Sequence, residues 1–64
     1  MTADRKAILA HLQIAPLYLG WGHRVEAHHA AFSLVVIDEA GPVTIVESGT
    51  LDDCLRVAGE RGAL

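Results

Sequence analysis

The sequence predicts an α+β fold with an N-terminal helix, an antiparallel sheet of about three strands and a C-terminal amphipathic helix packed on the sheet. Residues 32–38 and 43–48 are short runs rich in apolar and β-branched residues, which is typical of strands. Gly41 and Pro42 lie between them, so the two runs are expected to form a β-hairpin. The last helix is indicated by an apolar stripe at helical spacing, formed by Leu51, Cys54, Leu55 and Ala58.

The first helix is expected to begin at Thr2 or Asp4, since either side chain can act as an N-cap. It is expected to end near Gln13. Pro16 then stops the element, because the residue before a proline is biased away from helical dihedral angles.

The segment between the first helix and the hairpin is the least determined by its sequence. Residues 17–21 alternate in a way that suits a short strand, and Gly22-His23 is compatible with a two-residue turn. Residues 24–31 alternate as a half-buried strand does, yet their composition also suits a helix. We favour the strand, because the next strand begins directly afterwards and no helix stop signal separates the two.

The last helix has local signals at both ends. Thr50 is expected to cap its N-terminus, and Asp53 occupies the capping-box position three residues later. Asp52 and Arg56 are spaced for an ion pair on the solvent side of the helix. Gly62 is expected to end the helix in a left-handed conformation.

A chain of 64 residues is expected to form one domain, spanning residues 1–64. Its hydrophobic share of 52% and mean hydropathy of +0.33 are high for so small a core. One cysteine excludes an intramolecular disulfide. A homo-oligomer is therefore expected to hide apolar surface, through a sheet edge or through a face formed by Phe32, Leu34 and Val36.

The charge distribution argues against nucleic acid as a partner. The formal net charge is −3, and six of the eight acidic residues lie after residue 31. The five cations are dispersed and form no basic cluster for a phosphate backbone. The N-terminus turns polar at once, unlike a secretory signal, and no apolar run is long enough to span a membrane. Together with the lone Cys54, these features predict a cytoplasmic protein with no membrane partner.

Three histidines, His23, His28 and His29, are the weak candidates for a metal site. Metal ligands converge readily at helical i, i+4 or strand i, i+2 spacing, and neither spacing occurs among them. We therefore expect no metal and no other cofactor. Cys54 falls within the apolar stripe, which favours a core thiol over a nucleophile. With no catalytic or phosphate-binding motif in the sequence, the chain is not expected to be an enzyme.

The candidate partner-binding residues are two aromatics and two acids. Trp21 lies between two glycines and close to Tyr18, and Trp and Tyr are frequent anchors of binding hot spots. Burial of Trp21 in the core is an equally weighted alternative. Asp38 and Glu39 are expected at the hairpin turn, where charged residues are common and accessible.

The succession of a helix, strands and a second helix resembles the double-stranded-RNA-binding domain. That resemblance implies contacts between RNA phosphates and basic residues at the start of the last helix. Here that position holds Thr50, Leu51, Asp52 and Asp53. The join from strand to helix at residues 49–53 is also similar to that of the HicB-type antitoxin domain.

These observations predict a small non-enzymatic protein-binding module, an inhibitor or regulatory adaptor of a larger assembly. The alternatives are a nucleic-acid-binding regulator with the topology of a double-stranded-RNA-binding domain and a metal-binding protein that uses the histidines.

Overall fold

A computed structural model describes residues 4–64 and confirms the α+β class. The antiparallel sheet has four strands, one more than expected, in the order β1-β2-β3-β4. The elements in chain order are α1 (Arg5–Leu12), β1 (Leu17–Tyr18), β2 (His23–His28), β3 (Ala31–Asp38), β4 (Gly41–Gly49) and α2 (Leu51–Glu60).

One hydrophobic core joins both helices to the same face of the sheet. Because α1, α2 and the central strands all contribute to a single buried cluster, the opposite face of the sheet carries no helix. We call this opposite face the uncovered face. The buried cluster consists of Leu12, Val25, Leu34, Leu51, Cys54, Ala58 and Ala63.

Asp4 is the N-cap of α1, which confirms one of the two expected positions. Its carboxylate accepts a hydrogen bond from the backbone N–H of Lys6 at 3.0 Å, which satisfies one of the free donors at the helix start. Thr2, the other expected cap, lies outside the described residues. The helix ends at Leu12, one residue before the expected end.

The ambiguous segment at residues 24–31 is a strand followed by a tight turn. β2 pairs with β3 in antiparallel register from His23↔Val36 to His28↔Ala31, leaving a two-residue turn at His29 and Ala30. His29 has a φ of 53°, a left-handed conformation that non-glycine residues seldom adopt. The turn contains neither glycine nor proline, so nothing in the sequence indicated where β2 ends.

The prediction of a two-residue turn at Gly22-His23 is wrong, because His23 is already the first residue of β2. The reversal is made instead by a 3₁₀ segment at Gly20–Gly22, which we call the Trp21 turn. Trp21 has a φ of 56° and Gly22 a φ of 73°, so two successive left-handed residues turn the chain.

The face formed by Phe32, Leu34 and Val36 is not the free surface that the sequence suggested. Leu34 is fully buried in the core and Phe32 packs against it, because the helices cover this face.

The edge strand β4 pairs irregularly with β3, with register shifts on both sides of Leu34. Pro42, opposite Ile37, puts a residue without an N–H into the same edge. Bulges and proline are both features that discourage strand-to-strand pairing at an edge.

The ends of α2 follow the local signals. The Thr50 hydroxyl accepts from the Asp53 N–H at 3.0 Å, and the Asp53 carboxylate accepts from the Thr50 N–H at 3.4 Å. Gly62 has a φ of 76° and ends the helix, with the Ala63 N–H donating to the Ala58 carbonyl at 2.8 Å. Neither described helix has the length and apolar character needed to cross a lipid bilayer.

The expected Asp52–Arg56 ion pair does not form. Asp52 pairs with Arg5 of α1, and Arg56 pairs with Asp53 and Glu60 on its own helix. Arg5 thus links the first turn of α1 to the first turn of α2, which the local spacing within α2 could not reveal.

Candidate functional site

Trp21 is displayed to solvent rather than buried. Its residue surface is 81% exposed, which makes it one of the most accessible large apolar residues of the described chain. Its left-handed backbone conformation directs the chain around the Trp21 turn while the ring stays outside the core. Of the two readings that the sequence allowed, the structure therefore places Trp21 on the surface.

A buried histidine, His23, stabilises the Trp21 turn through hydrogen bonds to its backbone. His23 is only 4% exposed, and its Nδ1 lies 3.0 Å from the Gly20 carbonyl oxygen and 3.1 Å from that of Trp21. Carbonyl oxygens only accept, so Nδ1 carries the proton and donates to the turn. Arg61 Nε donates to the other ring nitrogen, Nε2, at 2.9 Å. The two sets of partners together fix the ring as the neutral Nδ1–H tautomer.

Two backbone contacts hold the same turn between neighbouring segments. The Gly20 N–H donates to the Ala63 carbonyl at 2.8 Å, which ties the turn to the segment after α2. On the other side, a side-chain carbon at Gly22 would lie 3.0 Å from the Ile37 carbonyl oxygen. Glycine is therefore required at position 22 for space as well as for its positive φ.

The contact between Gly22 and Ile37 brings the Trp21 turn to the end of β3. Asp38 and Glu39 follow at that end, and both are exposed. Asp38 closes the hairpin turn by accepting from the Ala40 N–H at 2.8 Å. We call the exposed residues at this end the sheet-end surface: Trp21, Ile37, Asp38 and Glu39.

Tyr18 lies on a different part of the surface. It pairs with Arg24 in the sheet, while the preceding Leu17 pairs with the core residue Val25. Because side chains alternate along a strand, Tyr18 points to the uncovered face, where it is 71% exposed. Three of the four expected contact residues therefore share one end of the sheet, and Tyr18 stands apart.

The histidines do not gather into a metal site. His23 is engaged by its hydrogen bonds, His28 lies 3.3 Å from a carboxylate oxygen of Glu26, and His29 forms the β2–β3 turn. Within residues 4–64 no three His, Cys, Asp or Glu side chains are placed to hold a metal ion together.

Cys54 is a fully buried core residue. Burial raises the pKa of the Cys54 thiol, and the negative charge of Asp53 raises it further. A thiol that stays protonated is a poor nucleophile, so the position of Cys54 near a helix N-terminus does not activate it.

Most of the cationic side chains are already paired. Arg24 Nε lies 2.7 Å from Glu26, Arg56 reaches Glu60 at 3.3 Å, and Arg5 pairs with Asp52. Arg61 donates to His23. Four of the five lysines and arginines therefore contact a partner within the chain, and they are spread over different elements.

An open groove of about 330 Å³ lies between the segment after α1 and the end of β2. The sequence did not reveal this groove, although Pro16 indicated that no strand begins before Leu17. The groove is lined by Leu12, Gln13, Ile14, Ala15, Pro16, Glu26, Ala27 and His28.

Comparison with protein-family models, curated proteins and solved structures found no match. The function is therefore argued from the surface of the chain itself.

The hydrogen bond between Arg61 and His23 that supports the Trp21 turn could not be predicted from the sequence, because the two residues are 38 positions apart and belong to no sequence pattern.

Proposed function

We propose that this chain is a small non-enzymatic protein-binding module, an inhibitor or regulatory adaptor, whose main contact residue is Trp21. The observation that carries the proposal is an exposed tryptophan in a left-handed backbone conformation. Such a conformation costs of order 1 kcal/mol or more in a non-glycine residue, and the Trp21 ring returns no core packing for that cost. Burial of the ring by a partner would offset that cost.

The surroundings of Trp21 suit recognition of a protein. Tryptophan is among the residues most enriched in binding hot spots, where it fills a pocket and excludes water. The His23 hydrogen bonds and the Gly20–Ala63 contact already order the turn, so binding would cost little further conformational entropy. Ile37, whose carbonyl oxygen lies next to Gly22 of the same turn, would extend the apolar contact.

Asp38 and Glu39 specify the charge of the proposed partner surface. Both residues are exposed and directly follow Ile37 at the end of β3. A partner that offers an apolar pocket rimmed by lysine or arginine would match this arrangement and associate faster at low salt. The paired state of four cations disfavours nucleic acid, since those charges already have anionic or imidazole partners.

Affinity purification from the native host with matched variants tests the proposal. Trp21→Ala removes the ring, and Ile14→Ala removes another exposed apolar side chain, 88% accessible, from the groove instead. We expect one set of proteins to be captured by the wild type and by Ile14→Ala but lost with Trp21→Ala. Purified candidates would then be titrated directly by calorimetry. Equal capture by all three chains would contradict a contact at Trp21.

Self-association is a second part of the proposal. The high mean hydropathy and the helix-free face of the sheet support a homodimer, and the bulges of β4 direct the contact away from that edge.

A further inference from the structure

β1 covers only part of β2. It has two residues, and they pair Leu17 with Val25 and Tyr18 with Arg24. The chain joins the sheet only at Leu17, and the residues before it stay beside the end of α1, where the Ala15 N–H donates to the His11 carbonyl at 2.9 Å. Residues 26–28 of β2 therefore have no neighbouring strand on this side within the described chain. At about 3.3 Å per residue, the free length is roughly 10 Å.

The register shows which backbone groups face this gap. On the β1 side, the Leu19 N–H donates to the His23 carbonyl at 2.8 Å. Backbone groups of alternate residues point to the same neighbour in an antiparallel sheet, so those of Val25 and Ala27 face the same way as His23. Val25 meets Leu17, but Ala27 meets the groove. Within residues 4–64 no backbone hydrogen bond outside the β2–β3 pairing reaches Ala27.

The groove has two chemically different sides. Ala27 is on the core face of β2, and the neighbouring walls there are apolar, with Leu12, Ala15 and Pro16. Glu26 and His28 alternate with Ala27 and so lie on the uncovered face. Ile14 stands at the rim with 88% of its surface exposed.

We propose that this groove binds an extended segment of a partner protein, which adds to β2 as a short strand in the position that β1 leaves open. The segment's backbone would exchange two hydrogen bonds with Ala27. Its residue opposite Ala27 would place an apolar side chain on the core face, beside Leu12 and Ala15. The residues on either side would be polar, because they face Glu26 and His28 on the uncovered face.

A second copy of the chain is a poorer occupant than a partner segment. The accessible edge strand it would supply is β4, whose two register shifts and Pro42 interrupt the regular spacing of donors and acceptors. The groove is independent of the Trp21 turn, since no residue is shared between the two. The proposal therefore extends beyond the function proposed above and does not require it.

Nuclear magnetic resonance with a synthetic peptide tests this docking mode. The probe is a tripeptide, Ser-Leu-Ser, capped at both ends so that it matches the three free residues of β2, and it is added to ¹⁵N-labelled protein. We expect weak binding with amide shifts confined to the groove and largest near Ala27. The matched probe carries N-methyl leucine, which keeps the side chain but removes the backbone donor. It should bind at least about fivefold more weakly, as expected for the loss of one hydrogen bond.

Protein variants supply the second control. Ala27→Glu should abolish the peptide shifts, because it places a charge on the apolar side of the groove. Ala40→Glu makes the same change at the distant β3–β4 turn and should leave them unchanged. Equal binding of the N-methylated peptide, shifts on β4 or the Trp21 turn, or no shifts at the solubility limit would each overturn the proposal. Capture of partners through Trp21 would be unaffected by Ala27→Glu, so failure of one proposal is separable from failure of the other.

Discussion

At the scale of single residues, Trp21 combines an accessible ring with a backbone conformation that glycine adopts at lower cost. Within residues 4–64, the non-glycine residues that have a positive φ are Trp21 and His29. His29 closes a hairpin, a position where such a conformation has a structural purpose. Trp21 closes a turn whose neighbours are both glycines, so a third glycine would serve the fold equally well.

Replacing Trp21 by glycine should separate stability from binding. We expect Trp21→Gly to raise the free energy of unfolding by about 1 kcal/mol, because the left-handed conformation no longer carries a side chain. Trp21→Ala keeps a side-chain carbon and should leave the stability nearly unchanged. Urea unfolding followed by circular dichroism measures both variants, and both should lose partner capture. A clear loss of stability in Trp21→Gly would instead assign the ring a structural role.

Cys54 gives a residue-scale test of the core. Burial and the charge of Asp53 raise the pKa of the thiol, so the folded chain keeps it neutral where the unfolded chain ionises it. The stability from this difference is complete below the ordinary thiol range and declines as the pH rises through it toward the raised pKa. We expect slow alkylation of native protein by iodoacetamide at pH 8 and fast alkylation in urea. Rapid labelling of the native protein would show that the thiol is accessible.

At the scale of elements, the N-terminus of α2 is stabilised by a capping box whose two members, Thr50 and Asp53, are three residues apart in the sequence. The backbone N–H of Thr50 lowers the pKa of the Asp53 carboxyl, and the Thr50 side chain and Arg56 lower it further. The ionised carboxylate is thus the form that the folded helix start prefers, in line with the dipole of the helix.

The cap predicts a specific loss of stability in acid. Because the folded pKa of Asp53 is lowered, its contribution is present above the ordinary carboxyl range and is lost as the pH falls through the lowered value. Asp53→Asn should therefore be less stable than wild type at pH 7 and equal to it near pH 2. Glu47→Gln removes an exposed carboxylate outside the cap and is the matched control. Thr50→Ala should cost about 1 kcal/mol at neutral pH.

The elements differ in how far their sequence determined them. α2 and the β3–β4 hairpin were predictable because their signals are local: a capping box, an apolar stripe and a Gly-Pro turn. The β2–β3 turn was not, since His29 adopts a conformation that composition does not announce. The Trp21 turn escaped for a different reason. Its supports, Arg61 and Ala63, come from the other end of the chain.

At the scale of the whole molecule, the chain has two layers and therefore two unlike sides. The smallest extent of the Cα trace is 18 Å, which is the thickness of helices on one sheet. The helix-covered face holds the core, whereas the uncovered face carries a row formed by Tyr18, Arg24, Val35 and Thr44. Val35 is only 5% exposed although it lies outside the cluster beneath the helices, so other side chains already cover it on this face.

A homodimer through the uncovered face is the expected state at high concentration. Two copies that stack these faces would cover Ile37 and Tyr18 in a symmetric contact without using the bulged edge of β4. Light scattering should then return twice the chain mass of 6.8 kDa.

Thr44→Glu should return the mass to that of one chain, because it adds to the uncovered face a charge that stacking of the two copies would remove from water. Ser48→Glu adds the same charge near the end of β4 and serves as the control that should remain dimeric. A mass of one chain for the wild type at high concentration would exclude the dimer. A dimer that Thr44→Glu leaves intact would move the contact to another surface, and Trp21→Ala would then test whether the sheet-end surface provides it.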